Sequence, residues 1–237
     1  MSVFVLVHGA WHGGWCWDKV VAQLEAMGHK AVAPDMPGHG NDKTPIESVT
    51  LEHLVRRVCD TIDAQDEPVV LVGHSYGGAM ITQAAERRAD KIKRLAYVTA
   101  FLLDDGQALM DLAQEDAGSS LGGQVEFSKD GVIATVNPDA LRDCFYGDCS
   151  EEDFMFARAR LSLEAMAGLL TPMRTTAANF GRVKRTYIEC LKDKAISIAM
   201  QRRLQAALPC ESVVTLDTDH SPFFAAPEAL SAALARL

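Results

Sequence analysis

The sequence predicts an α/β fold: an open, mostly parallel sheet of about six strands with helices on both faces. Short apolar, β-branched runs recur at Val3–Val7, Ala31–Ala33, Val69–Val72, Leu95–Val98, Thr186–Cys190 and Val213–Leu216. Segments with apolar residues every three or four positions lie between most of them. Such alternation means parallel strands joined by right-handed crossovers, with helices covering both faces of the sheet. Ligands of these sheets bind beyond the carboxyl ends of the strands, so functional residues are expected just after strands.

The first helical segment, "WDKVVAQLEAMGHK", places Val20, Val21, Leu24 and Met27 on one face and stops at Gly28. The second, "TLEHLVRRVCDTID", repeats the pattern with Leu51, Leu54, Val55, Val58 and Ile62. "AMITQAAERR" follows the third strand, and "SIAMQRRLQAAL" and "PEALSAALARL" close the chain, the latter with Pro227 near a helix start. From about Gln107 to Gly181 the rhythm breaks and no strong core strand appears. Within it, "VEFSKDGVIATV" reads as a hairpin turning at Lys129-Asp130-Gly131, and "EEDFMFARARLSLEAMAGLL" as a helical stretch. Residues 107–181 are therefore expected to form a helical cap that covers the sheet's edge, inserted into a core of residues 1–106 and 182–237.

Composition narrows the function. The 237 residues are 48% hydrophobic with a net charge of −9, which suits one domain with a sizeable core. Neither a nucleic-acid nor a membrane partner is expected: there is no basic face and no apolar run of spanning length. The basic stretches Arg87-Arg88 with Lys91 to Arg94, and Arg182 to Arg185, read as solvated helix ends and loops. The amino terminus lacks a basic leader and turns strand-like at once, and the six cysteines show no CxxC spacing. A cytoplasmic location with free thiols is the expectation, Cys144 and Cys149 being the alternative candidates for a disulfide or metal site.

One stretch carries chemistry. "PVVLVGHSYGGAM" runs from a buried strand into a helix through Gly73-His74-Ser75-Tyr76-Gly77, a G-x-S-x-G pattern in its proper context. A sharp strand-to-helix turn strains the central residue, and small neighbours relieve the crowding. Ser75 is then presented at the top of the sheet as a candidate nucleophile; the bland alternative is a serine that only caps the helix. A serine needs a base. Of seven histidines, His220 in "VVTLDTDHSPFF" lies just past the last strand, in the order Ser…Asp…His. The base needs an acid to fix its tautomer. Asp193, after the penultimate strand, is the choice over Asp217 and Asp219, which sit close enough to His220 to shape its turn, and over Asp104 and Asp105, which also follow a core strand. Two N–H groups should stabilise an oxyanion: Tyr76, next to the nucleophile, and Ala10, in the glycine-rich "HGAWHGGW" loop after the first strand. Trp11 and Leu103 are expected to line the substrate site.

Together these residues resemble the α/β-hydrolase superfamily. Within it, "FVLVHGAWHGGWCWDKV", "LEAMGHKAVAPDMPGHG", "VVLVGHSYGGAM", "YIECLKDKAI" and "DHSPFF" closely resemble the plant methylesterase and hydroxynitrile lyase family. The likeness covers most of the chain and is weakest in the insertion. It implies an α/β-hydrolase fold, a cofactor-free enzyme and homodimers in some members, and it places Ser75, His220 and Asp193 in the triad and Ala10 and Tyr76 at the oxyanion positions. Two chemistries live in this family. The (S)-selective lyases carry threonine where this chain has Gly9, glutamate where it has His74, and lysine where it has Ser221; the (R)-selective ones carry asparagine at Gly9. This chain has none of these. The expectation is a serine carboxylesterase acting on small methyl, alkyl or aryl esters through an acyl-enzyme. A hydroxynitrile lyase cleaving cyanohydrins and a ligand-binding, receptor-like relative are the alternatives.

Overall fold

The computed structural model describes residues 1–237. In chain order it runs β1 (Val3–Val7), α1 (Asp18–Ala26), β2 (Lys30–Val32), α2 (Leu51–Asp63), β3 (Val69–Ser75), α3 (Gly77–Arg88) and β4 (Ile92–Ala100). An insertion follows: α4 (Leu109–Gln114), β5 (Val125–Phe127), β6 (Ile133–Val136), α5 (Leu141–Phe145), α6 (Glu151–Arg158), β7 (Glu164–Ala165) and α7 (Met166–Leu169). The chain then returns to the sheet with β8 (Arg185–Cys190), α8 (Ile198–Ala207), β9 (Ser212–Leu216), α9 (Pro222–Ala225) and α10 (Pro227–Leu234).

The main sheet has six strands in the order β2-β1-β3-β4-β8-β9. Every pairing in it is parallel, as the alternation predicts. β1 is buried at every position, and β3 at every position but Ser75. That explains why these strands read as continuous apolar runs rather than alternating ones. β3 lies mid-sheet between β1 and β4, so whatever leaves its carboxyl end stands at the middle of the molecule.

The helices follow their stripes. α2 buries Leu51, Leu54, Val55, Val58, Cys59 and Ile62, and Thr50 caps it by accepting from His53 N–H. α1 buries Val20 and Leu24 and ends before Gly28 at φ 83, but Met27 points into solvent, because the helix stops one residue short of it. The basic stretches lie at the surface in ion pairs, Arg87 with Glu52, Arg88 and Lys91 with Asp63, and Arg182 with Asp90. No helix is long and apolar enough to cross a membrane.

The insertion departs from expectation in two respects. Its β5–β6 hairpin forms as read, turning through Gly131 at φ 71, but a third strand, β7, joins it. The stretch from Glu151 to Leu170, read as one helical segment, breaks after Arg158: Ser162 N–H donates to the Trp11 carbonyl, and the Glu164 side chain is drawn onto the loop after β1. Tertiary bonds override the helical pattern there. The insertion covers the sheet where its strands end. It rests on loops at the carboxyl end of the sheet, touching Trp11 after β1, His39 after β2, Ala195 after β8 and Asp219 after β9.

Candidate active site

The turn from β3 into α3 holds Ser75 at φ 52, a left-handed conformation disfavoured for any residue but glycine. The crowding explains the flanking glycines. A β-carbon on Gly73 would lie 2.6 Å from the Gly77 carbonyl oxygen, and one on Gly77 would lie 2.7 Å from that of Val7. Ser75 opens into a cavity of about 330 Å³ between the strand ends and the insertion.

His220 and Asp193 pair close by, both buried: the His220 ring lies 5.4 Å from that of Phe145, which lines the cavity, and 4.6 Å from that of His74, the residue before Ser75. His220 Nδ1 lies 2.7 Å from Asp193 Oδ2. A carboxylate oxygen only accepts, so the proton sits on Nδ1 and Nε2 is left as the free base. Asp193 is held from all sides. Its Oδ1 accepts from Ala195 N–H at 2.7 Å and Ile196 N–H at 2.9 Å, and its Oδ2 also accepts from the Thr99 hydroxyl. The Ser75 hydroxyl makes no hydrogen bond to the His220 ring; such bonds commonly tighten only once substrate is bound.

The rival acids are occupied elsewhere. Asp217 pairs with Lys192 at the surface. Asp219 shapes the turn, accepting from Ser221 N–H at 2.9 Å, and ties it to the insertion through Asp148 N–H at 2.8 Å. Burial pushes the Asp219 carboxyl above its usual range. Asp104 and Asp105 are exposed and bond to backbone N–H groups. All six cysteines are unpaired, and Cys149 donates weakly to Asp219 Oδ2.

Ala10 and Tyr76 both line the cavity, and neither backbone N–H donates to another protein group. The Ala10 carbonyl, by contrast, is fixed. It accepts from His12 Nδ1–H at 2.8 Å, and His12 Nε2 therefore accepts from the Tyr146 hydroxyl at 2.7 Å. Burial pushes His12 down to about 4, so this ring is neutral. His74 turns away from the cavity and donates Nε2–H to the His220 carbonyl at 2.8 Å. Burial and the neighbouring His220 hold His74 well below its ordinary value.

The cavity wall is mostly apolar. Trp11, Tyr76, Phe101, Phe127, Phe145 and Met166 belong to it. Leu103 does not: it is fully buried in the core cluster instead. Sequence reading passed over Thr99, His12, Tyr146, Glu164 and His39. Thr99 alone left a signal, as a polar residue at the end of the otherwise apolar "LAYVTA" strand.

This sheet order and serine turn define a class, and the α/β hydrolase family model matches residues 4–233. The chain belongs to the α/β hydrolase family and is related to the plant methylesterases and allied hydrolases. It is 34% identical over 252 residues to a pyrethroid hydrolase from Sphingobium wenxiniae, covering 98% of this chain and 85% of that one. It is 33% identical over 239 residues to putative methylesterase 11, chloroplastic, from Arabidopsis thaliana, covering 96% of this chain but 61% of that longer protein. Among solved structures, an Arabidopsis methylesterase superposes with a TM-score of 0.88 at 27% identity, covering 100% of this chain and 98% of that one.

Proposed function

We propose that the chain is a serine carboxylesterase acting on neutral, hydrophobic carboxylic esters. The observation that carries this reading is the His220–Asp193 pair, with Nε2 left as the free base, beside a serine at an apolar cavity. His220 Nε2 takes the Ser75 proton as Oγ attacks the ester carbonyl. The N–H groups of Ala10 and Tyr76 receive the oxyanion, supported by the amino-terminal end of α3. The imidazolium, stabilised by Asp193, protonates the leaving alcohol. Water activated by neutral His220 then releases the acid and restores Ser75.

The cavity supports the choice of substrate. No lysine or arginine lines it. Its one charged lining residue, Asp116, has its carboxylate engaged by Ser197 N–H at 2.8 Å, the Ser197 hydroxyl at 2.6 Å and Gly118 N–H at 3.2 Å. An anionic substrate finds no counter-charge, whereas apolar acyl and alcohol groups find matching walls. Relatives named as methylesterases and as a pyrethroid hydrolase are in keeping with such a substrate.

Two features weigh against cyanohydrin cleavage. A β-carbon on Gly9 would lie 2.7 Å from Ser75 Cβ and 3.0 Å from His74 Nδ1, so the side chain that lyases carry there has no room. Ser221 stands, buried and uncharged, where those enzymes place a lysine. A receptor without turnover has no use for a complete set of nucleophile, base, acid and oxyanion donors. The test is the initial rate on p-nitrophenyl acetate for wild type and Ser75→Ala. Turnover by wild type and none by the variant is the expected result; activity retained in Ser75→Ala contradicts the reading.

A further inference from the structure

Trp11 follows Ala10 in the loop after β1 and holds φ 62, a left-handed conformation unusual for a bulky residue. Such strain persists only where the surroundings over-determine it. Here the insertion does so. Trp11 N–H donates to Glu164 Oε2 at 3.2 Å, its indole N–H donates to the Ala134 carbonyl at 3.1 Å, and its carbonyl accepts from Ser162 N–H at 2.7 Å. None of these partners belongs to the main sheet.

Glu164 is wholly buried. Its Oε1 accepts from Ala165 N–H at 3.0 Å, and its Oε2 lies 3.0 Å from Nε2 of His39, itself buried. The other ring nitrogen of His39 donates to the Pro37 carbonyl at 3.0 Å, so with Nε2–H turned to Glu164 the ring is an imidazolium. Burial alone would push His39 down; Glu164 beside it, the Pro37 carbonyl and Asp35 outweigh that and hold it above its ordinary value. His8, whose ring centroid is 5.3 Å away, adds no positive charge: its Nδ1 donates to the Gly9 carbonyl, and its Nε2 accepts from Met36 N–H. An ion pair this deep is poor evidence for stability, because desolvation offsets most of its attraction.

We propose that the Glu164–His39 pair is a positioning device for the oxyanion loop. The Ala10–Trp11 peptide is gripped at both ends, its N–H by Glu164 and its carbonyl by His12. That grip fixes the backbone next to the Ala10 N–H and keeps this donor aimed into the cavity. His39 in turn holds the carboxylate in place. Glu164 touches no substrate; it is a positioning residue supplied by the insertion, which thereby helps to assemble the site as well as roofing it. The inference rests on the serine-esterase reading.

The test compares the full chain with Glu164→Ala, Glu164→Gln and the double variant Glu164→Leu/His39→Phe. The double variant replaces the pair by apolar groups, so it buries no lone charge if Glu164→Ala fails to fold. Removing an oxyanion donor outright costs about 10²–10³ in kcat, so a donor that is only loosened should cost about 10–100-fold. That loss is expected in kcat for Glu164→Ala and for the double variant, with KM changed by less than about threefold. Glu164→Gln, which keeps an oxygen for Trp11 N–H, should recover most of it. The Ki of a trifluoromethyl ketone, which forms a tetrahedral oxyanion on the serine, should rise with the kcat loss, while binding of the matching alcohol stays unchanged. A tie that only stabilises the fold would lower the melting temperature and move neither. Wild-type kcat and Ki in the double variant, or a loss in Glu164→Gln equal to that in Glu164→Ala, overturns the proposal. If wild type turns over no ester, the esterase reading fails by itself, and hydrogen exchange at the Trp11 amide still reads the grip: faster exchange in the double variant supports it, and equal exchange overturns it.

Discussion

Replacing Asp193 by asparagine should abolish nearly all activity while leaving the fold intact, for a reason that lies in the hydrogen-bond directions. Ala195 and Ile196 both point N–H groups at Oδ1. In Asp193→Asn these donors select the amide oxygen, so the amide nitrogen turns toward His220 and Thr99. An amide nitrogen only donates. His220 Nδ1 must then accept, the imidazole proton moves to Nε2, and the atom that should take the Ser75 proton already carries one. A base locked in the wrong tautomer costs about 10⁴ in kcat, or about 5.4 kcal/mol of barrier. Because the anchoring bonds at Oδ1 survive, the loss of stability should be about 1 kcal/mol, a shift of about 2–4 °C in melting temperature. The assay is kcat on p-nitrophenyl acetate alongside a thermal melt. A variant that melts within about 2–4 °C of wild type and loses activity by about four orders of magnitude fits the reasoning. A folded variant with kcat within about tenfold of wild type refutes it, because Asp193 would then not set the tautomer of the base.

Two further outcomes follow from the packing and the buried histidines. Gly9→Thr forces a β-carbon to within 2.7 Å of Ser75 Cβ; shifting the nucleophile by about 1 Å should cost about 10²-fold in kcat/KM, and an unchanged kcat/KM would show slack in the loop after β1. His8, His12 and His74 are held neutral by burial, with His12 pushed down to about 4. Below the ordinary histidine value of about 6.5 the unfolded chain binds these protons and the folded chain does not, so stability falls as pH falls, by up to about 1.4 kcal/mol per pH unit for each ring. His39 runs the other way: its value is raised in the fold, so its contribution is fully present below about 6.5 and is lost as pH rises through the folded value. Between about pH 6.5 and 5 the His39 contribution hardly changes, while the three neutral rings together lose about 5 kcal/mol, so the melting temperature should drop by about 10–20 °C; a flat or rising curve contradicts this.

The core was legible because its signals are local. A strand buried on both faces reads as an unbroken apolar run, as β1 and β3 do; β4 and β8 read so over their buried stretches, and β9, a mostly exposed edge strand, was legible from Val213 to Leu216. The serine turn was legible for the same reason: the strand, the small residues and the helix that produce it are contiguous from Val69 to Arg88. His220 and Asp193 could be placed because parallel sheets bring every strand end to one side. What escaped depends on contacts between distant segments. Glu164 meets Trp11 across 153 residues and His39 across 125, and nothing in "RLSLEAMAG" announces either partner. The strand β7 was hidden for the same reason, since its neighbours carry a helical pattern that those contacts override. Leu103 follows β4 closely enough to suggest the cavity, but it packs into the core, and Phe145 and Met166 from the insertion line the site instead.

The central claim is that Ser75 forms the acyl-enzyme. The measurement that tests it most directly is mass spectrometry of wild type and Ser75→Ala, quenched in acid during turnover of p-nitrophenyl acetate, with the labelled peptide sequenced. One acetyl group on Ser75 of wild type, and none on the variant, is the expected result. Sustained turnover with no adduct, or with the acetyl group on another residue, would contradict the account.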